Sequence, residues 1–171
     1  LVLTANGGID APSESNLLFG AKDTDNAWNA NVKSVDLTNF RTDNATTLAF
    51  LFNGSKSLET ITGIEHLNTT QVQDLTAAFQ YCAALTNLDL SSWKTDNVTS
   101  VSNMFFQTTQ LQTVTGMDTW NMPKLTEARA LFAYSGITKV DLSNWNPTEL
   151  RDFTHVFNGC SNLTEVKIEN W

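Results

Sequence analysis

The chain has 171 residues, 41% of them hydrophobic and 16% charged, with ten Lys and Arg against eighteen Asp and Glu, a net charge of -8. This length and composition allow one domain with a buried core, and they exclude a disordered acidic tail and a coiled coil. Because no basic run and no stretch of about 18 apolar residues is present, we expect no nucleic-acid partner and no membrane insertion in this segment.

The first 31 residues do not match the rest of the chain, and we interpret residues 1–31 as an N-terminal cap. A repeat at the end of a stack would otherwise expose its interior. Asp23 to Asn26 suggests a calcium loop, but Ala27 and Trp28 stand where a further oxygen ligand and the glycine belong. We therefore predict no metal site there.

From residue 32 onward one phrase recurs at steps of 26 or 27 residues. This predicts five full repeats over residues 32–171 plus the first strand of a sixth. We expect the natural chain to continue beyond this point. The units begin at Val32, Leu58, Leu85, Leu111, Ile137 and Leu163. An anchor column, mostly aromatic, comprises Phe40, Leu67, Trp93, Trp120, Trp145 and Trp171. A second column of closing phenylalanines comprises Phe52, Phe79, Phe105, Phe132 and Phe157.

Each unit has two halves with different hydrophobic periods. In the first half apolar residues alternate, as at Leu88 and Leu90, which predicts a short strand. In the second half they recur at i, i+3, i+6 and i+7, which predicts a helix of about three turns. Thr42 to Asn44, Thr95 to Asn97 and the Asn146, Pro147, Glu149 set resemble helix N-caps.

A single unit cannot bury its own apolar stripe, so the units must stack. The predicted fold class is α/β, a leucine-rich-repeat-like solenoid of about 26 residues per repeat, with a parallel sheet on one face and helices on the other. Units two and four carry a Thr-Gly insertion at Gly63 and Gly116. This alternation indicates a duplicated two-unit block, with a bulge expected at each glycine.

The stretch from Leu85 to Phe105 resembles the BspA-type leucine-rich repeat of surface proteins from lactic acid bacteria, other Gram-positive bacteria and mycoplasmas. Phe157 to Thr164 resembles the same family's junction between repeats. The resemblance covers roughly residues 32–171, and units two and four depart from it at the insertion. It implies an extracellular location, at the cell surface or secreted, and adhesion to host or microbial material. It implies no catalytic residues.

The side chains that alternate with the buried strand positions form the candidate binding surface. A rigid sheet presents such small polar groups at little cost in entropy. We predict a binding face made of Asp36, Thr60, Thr62, Asn87, Asp89, Thr113, Thr115, Lys139 and Asp141. A merely solvated face is the alternative. The acidic column of Asp36, Asp89 and Asp141 is too widely spaced for a metal, because successive members lie two strands, about 10 Å, apart.

The remaining reactive residue types favour a structural interpretation. The Trp column shares its position with Phe40 and Leu67, which indicates packing rather than sugar stacking. Cys82 and Cys160 occupy equivalent positions three units apart, too far for a disulfide, so we expect free thiols. With only two histidines and no Cys-His or Ser-His-Asp set, we predict no enzyme activity and no cofactor.

Two functions from different classes follow. The first is an adhesin module that contacts a host or microbial surface macromolecule, protein or glycan, through the sheet face or its edges. The second is a structural spacer that displays another domain of a longer cell-wall protein and binds nothing itself. Ice or crystal-surface binding through Thr60, Thr62, Thr113 and Thr115 ranks last, because alternate units lack the Thr pair.

Overall fold

The computed structural model describes residues 2–3, 9–11, 18–20 and 30–169. Short strands account for the regular structure of these residues. They are β1 (Val2–Leu3), β2 (Ile9–Asp10), β3 (Ser34–Asp36), β4 (Phe40–Arg41), β5 (Thr60–Thr62), β6 (Asn87–Asp89), β7 (Thr113–Thr115), β8 (Lys139–Asp141) and β9 (Glu165–Lys167). Two single-turn 3-10 helices span Ile64–His66 and Met117–Thr119.

Parallel pairing joins the strands of some, but not all, successive repeats. In the first sheet β1 pairs with β3 and β3 with β5, so that Val35 lies opposite Ile61. Two further sheets each hold one pair, β6 with β7 and β8 with β9. The repeats therefore form stacked layers, one unit to a layer, with the chain passing from each layer to the next.

The core runs along the stack as two aromatic columns. The closing phenylalanines stack nearly face to face, with ring centroids 5.7 Å apart for Phe79 and Phe105 and 5.3 Å apart for Phe105 and Phe132. Trp120 lies between Trp93 and Trp145 at 6.4 and 5.9 Å, and all three indoles are buried. The interpretation of the Trp column as packing is confirmed for these three residues; Trp171 and Trp28 lie outside the described residues.

The predicted α/β solenoid with helices on one face is wrong. Among the described residues there is no α-helix. The phenylalanines, which lie in the halves predicted to be helical, repeat every 5.3 to 5.7 Å between layers. Helix axes need about 8–10 Å between them, whereas paired strands need only about 4.8 Å. Layers this close have no room for stacked helices.

The supposed helical halves instead alternate tight turns with bonds between layers. In unit two, Ala77 and Phe79 donate their backbone N–H groups to Ser102 and Met104 of the next layer. The residues between them close turns, as when Gln80 N–H donates to the Ala77 carbonyl. Successive turns of three residues return side chains to the interior at i, i+3 and i+6. That spacing imitates the period of a helix.

Single parallel bridges mark the start of these turn segments and form a second column opposite the strands. The bridges join Thr47, Asp74, Ser100, Glu127 and Asp152 in sequence. The predicted helix caps also serve the stack, since the Thr42 and Thr95 hydroxyls donate to carbonyls of Asn68 and Asn121 in the next layer. In a helix cap, such a side chain would accept the backbone N–H groups of the first turn. Here it donates to the neighbouring layer instead.

The strand column is divided into two-unit blocks by the Thr-Gly insertions. Gly63 and Gly116 follow β5 and β7 with φ of 79° and 93°, and each begins a 3-10 turn rather than a bulge. A Cβ on Gly116 would lie 2.4 Å from the Ser91 backbone of the preceding unit, and one on Gly63 would lie 2.4 Å from Thr38 N. Each glycine therefore allows its unit to pack closely against the preceding unit. No such pairing continues from β5 to β6, which belong to different sheets.

The described parts of residues 1–31 continue the stack below unit one. β1 pairs with β3, and β2 pairs with β4. Phe19 stacks on Phe52 at 5.5 Å and so extends the phenylalanine column by one ring. The segment interpreted as a cap thus adds one more layer to the stack. β1 occupies its strand position, β2 lies beside the anchor Phe40, and Phe19 occupies its phenylalanine position.

Truncating an inner ring of the phenylalanine column should cost far more stability than truncating an outer one. We expect Phe105→Ala to lower the free energy of unfolding by about 3–5 kcal/mol, because the ring is fully buried between two neighbours. Phe157→Ala is the matched control, since that ring is half-buried and stacks on Phe132. Urea unfolding measures both variants, and equal losses would contradict a core organised around this column.

Candidate functional site

The residues of the predicted binding face lie on the outer side of the strands. Its residues all lie on the strands at the outward positions of the alternation, while Val35, Leu88 and Val140 between them are buried. Asp36 and Asp141 are half-buried and the other seven are exposed: Thr60, Thr62, Asn87, Asp89, Thr113, Thr115 and Lys139. They lie on directly paired strands only within each two-unit block.

The three aspartates of this face are structural acceptors at the strand ends. Asp89 accepts the backbone N–H of Ser91 at 3.0 Å and the Ser91 hydroxyl at 2.6 Å. Asp141 holds Ser143 in the same way, and Asp36 accepts the N–H of Thr38. These are Asx-turns, in which a short acidic side chain stands in for a backbone carbonyl. The recurring Asp-Leu-Ser or Asp-Leu-Thr phrase is the sequence pattern that indicates these turns.

These hydrogen bonds hold the carboxylates in their charged form. The Ser91 hydroxyl, followed by the Ser91 N–H, lowers the pKa of Asp89 below its ordinary value. The pKa of Asp141 is lowered chiefly by the Ser143 hydroxyl and its N–H, with Lys167 adding to the effect. The Thr38 side chain and N–H lower the pKa of Asp36.

Contacts between layers occupy much of the remaining polar surface. Lys139 pairs with Glu165 at 2.9 Å, and Lys167 pairs with Asp141 at 3.2 Å. The Thr113 hydroxyl donates to the Asn87 side-chain carbonyl at 2.7 Å. Exposed pairs of this kind add little stability, but they set the charge pattern of the face.

The break between β5 and β6 opens a cleft on this same face. The volume of this cleft is about 540 Å³. Its lining combines the apolar residues Ile61, Ile64, Leu85 and Leu88 with the polar residues Glu59, Thr60, Glu65, Thr86, Asn87, Asp89, Ser91 and Ser92. Three of the predicted site residues, Thr60, Asn87 and Asp89, therefore meet here. Sequence reasoning missed the carboxylates of Glu59 and Glu65, although the Thr-Gly insertion beside them signals the interruption of the sheet.

Comparison with known families matches the chain to one family model, described as Mycoplasma protein of unknown function, DUF285. The matched segments are residues 22–136 and 112–171, which together cover most of the chain. The chain belongs to this family. No curated protein and no solved structure gives a significant match.

Since the DUF285 family has no assigned function, the chemistry of the site must come from its residues. Within the described ranges, no group of three or more His, Cys, Asp or Glu side chains is arranged to hold a metal ion. None of the helices in the same ranges is long and apolar enough to cross a membrane. What the cleft offers is carboxylate, hydroxyl and amide groups around an apolar base, which suits recognition of a polar surface.

The two thiols are free, as predicted, and act within the stack. Cys82 is buried and its Sγ donates to the Phe52 carbonyl at 3.3 Å. Cys160 does the same to the Phe132 carbonyl at 3.0 Å. Burial strongly raises the pKa of Cys82, so its thiol stays protonated and unreactive at neutral pH.

The Asx-turns predict an acid-labile component of stability. The native pKa values of Asp36, Asp89 and Asp141 lie below their ordinary 3.8, so the stabilisation is complete above about pH 5 and is lost as the pH falls through the lowered values. We expect the triple Asp→Asn variant, whose amide oxygens still accept the same N–H groups, to show a smaller loss between pH 5 and pH 2 in urea unfolding.

The corresponding triple Asp→Ala variant is the control, because it removes the acceptor as well as the charge. It should be less stable than the Asn variant at every pH. A wild-type loss on acidification that is unchanged in the Asn variant would show that other carboxylates cause it.

Proposed function

We propose that this chain is a non-catalytic extracellular binding module, a bacterial cell-surface adhesin that contacts a host or microbial macromolecule through the strand face. The observation that carries the proposal is the cleft between β5 and β6, where the sheet face changes from a row of small polar groups into a concavity. Concave sites with an apolar base and a polar rim are where proteins most often bind ligands. The resemblance of Leu85 to Phe105 to BspA-type repeats supports the extracellular location.

The charge of the cleft indicates what kind of group it receives. Glu59, Glu65 and Asp89 are exposed at its rim, on a chain with a net charge of -8. Lys33 pairs with Glu59 at 2.9 Å, so one cation lies beside three carboxylates and the rim stays negative. Basic or hydrogen-bond-donating groups on the partner complement such a rim and approach it faster by electrostatic attraction. The Asx-turn at Asp89 also keeps that carboxylate in a fixed position before any partner arrives.

The spacer alternative is favoured by a different observation. The outward side chains of β8 and β9 are already engaged with each other, through the pairs Lys139–Glu165 and Asp141–Lys167. A surface that satisfies its own charges layer by layer fits a stalk that stays soluble and binds nothing. The two functions therefore make opposite predictions for the cleft.

Neutralising the cleft distinguishes them. The purified chain is first screened on an array of matrix proteins and glycans, and the best partner is measured by surface plasmon resonance. We expect Glu59→Gln, Glu65→Gln and Asp89→Asn together to weaken that binding by about tenfold, mainly through slower association. Asp89→Asn retains the turn acceptor, so the fold should be preserved.

The matched control carries Asp118→Asn, Glu127→Gln and Glu149→Gln, three exposed carboxylates whose neutralisation removes the same charge without touching the cleft. This variant should bind as the wild type does. A screen without any binding would favour the spacer. Equal binding by all variants would overturn the cleft as the contact site, because the partner would then bind elsewhere on the chain.

A further inference from the structure

A row of three aromatic side chains lies outside the core, on the turn edge of the stack. Tyr81, Phe106 and Tyr134 come from three successive layers and contact each other edge to face, with ring centroids 5.6 and 5.8 Å apart. Tyr134 is 47% exposed, and the other two are half-buried. We call this set the aromatic ridge. None of its three residues belongs to the core or to the strand face.

The two tyrosines stand at positions where the backbone favours glycine. Tyr81 and Tyr134 have φ of 62° and 58°, in the left-handed region that a bulky side chain rarely adopts. The equivalent residues of units one and five are Gly54 and Gly159, also with positive φ. Gln107 of unit three has φ of 55° at the same position, so the left-handed backbone belongs to the repeat and only the side chain varies. Glycine adopts this conformation without strain, whereas units two and four carry a large aromatic side chain there.

The ridge is held rigid from both sides. The Tyr81 N–H donates to the Phe106 carbonyl at 2.9 Å, and the Tyr134 N–H donates to the Asn158 carbonyl at 2.7 Å. The Tyr134 ring lies against the bare backbone of Gly159, where an added Cβ would come within 2.4 Å of it. Asn158 also donates from its side chain to the Tyr134 hydroxyl. The Tyr134 ring is packed and hydrogen-bonded before any ligand arrives, so it loses little entropy on binding.

The segments that carry the ridge are polar but uncharged. Residues 80–84, 106–110 and 133–136 contain no Asp, Glu, Lys, Arg or His, although the chain as a whole carries a charge of -8. Its polar groups are amides and hydroxyls, as at Gln80, Gln107 and Thr109, which both donate and accept hydrogen bonds. These segments offer no carboxylate to a cationic ligand and no cation to an anionic one. In the neighbouring layer of unit one, the exposed Lys56 follows two residues after Gly54.

We propose that the aromatic ridge binds a neutral oligosaccharide. The apolar C–H faces of sugar rings pack on aromatic side chains, and their hydroxyls pair with amide groups, so an uncharged glycan matches both halves of this surface. Tyrosine and phenylalanine are also enriched in protein–protein interfaces, so a protein partner is treated as an outcome of the test. The ridge shares no residue with the lining of the cleft, so it extends the proposed binding function without depending on the strand face.

The repeat itself supplies the variants for the test. Tyr81→Gly with Tyr134→Gly copies units one and five, and Tyr81→Gln with Tyr134→Gln copies Gln107 of unit three, which has the same backbone conformation. The full chain is screened on an array of neutral gluco-, manno-, galacto- and N-acetylglucosamine oligosaccharides, and the strongest ligand is titrated by calorimetry. We expect both double variants to raise its Kd by about tenfold or more while keeping the wild-type fold by circular dichroism.

Ala77→Gly with Ala130→Gly is the matched control. These residues have φ of 55° and 52° in the same two layers, so the change relaxes the same backbone strain without removing a ring. It should leave the Kd unchanged, as should the cleft variant carrying Glu59→Gln, Glu65→Gln and Asp89→Asn. The cleft variant separates failure of this proposal from failure of the strand face.

Three results would overturn the proposal. They are the absence of binding to every neutral oligosaccharide, a Kd that is the same in the tyrosine variants and the wild type, and a loss confined to a matrix-protein partner. The last result would make the ridge a protein-docking surface.

Discussion

The distance between layers constrains every other feature of this protein. Rings in the phenylalanine column repeat every 5.3 to 5.7 Å, and neighbouring backbones hydrogen-bond across the gap on both sides of the core. Only extended or tightly turned backbone fits such a spacing. Each layer is thin, cannot enclose a core alone, and obtains its missing contacts from the layers above and below.

The same constraint determines where polar side chains can act. Thr42, Thr69 and Thr95 are buried, yet each hydroxyl donates to a carbonyl of the next layer. The indole N–H groups of the Trp column likewise donate to carbonyls of the preceding layer, as Trp145 does to Met117 at 2.9 Å. Buried polar groups thus become connectors between layers, which explains why a chain so rich in Thr, Asn and Ser can still form a core.

Because the layers are alike, a distinct surface arises only where one layer departs from its neighbours. The cleft lies where the strand column breaks between β5 and β6, beyond the insertion at Gly63. The aromatic ridge lies where Tyr81 and Tyr134 replace the glycine found in the outer units. The first lies on the strand face and the second on the turn edge of the stack. A single module can therefore present a charged site and an uncharged site at once.

Much of the organisation follows from the sequence alone. The step of 26 or 27 residues, the Trp and Phe columns, the outward strand positions and the free thiols could all be read from spacing, because stacking requires equivalent residues to recur in register. The conformation of the backbone between the columns could not be read from spacing. A stripe at i, i+3, i+6 and i+7 fits a helix and a series of three-residue turns equally well, and the choice depends on the distance between layers, which is a tertiary quantity. The cleft and the ridge were beyond sequence reasoning for the same reason, since both depend on which residues of neighbouring layers come into contact.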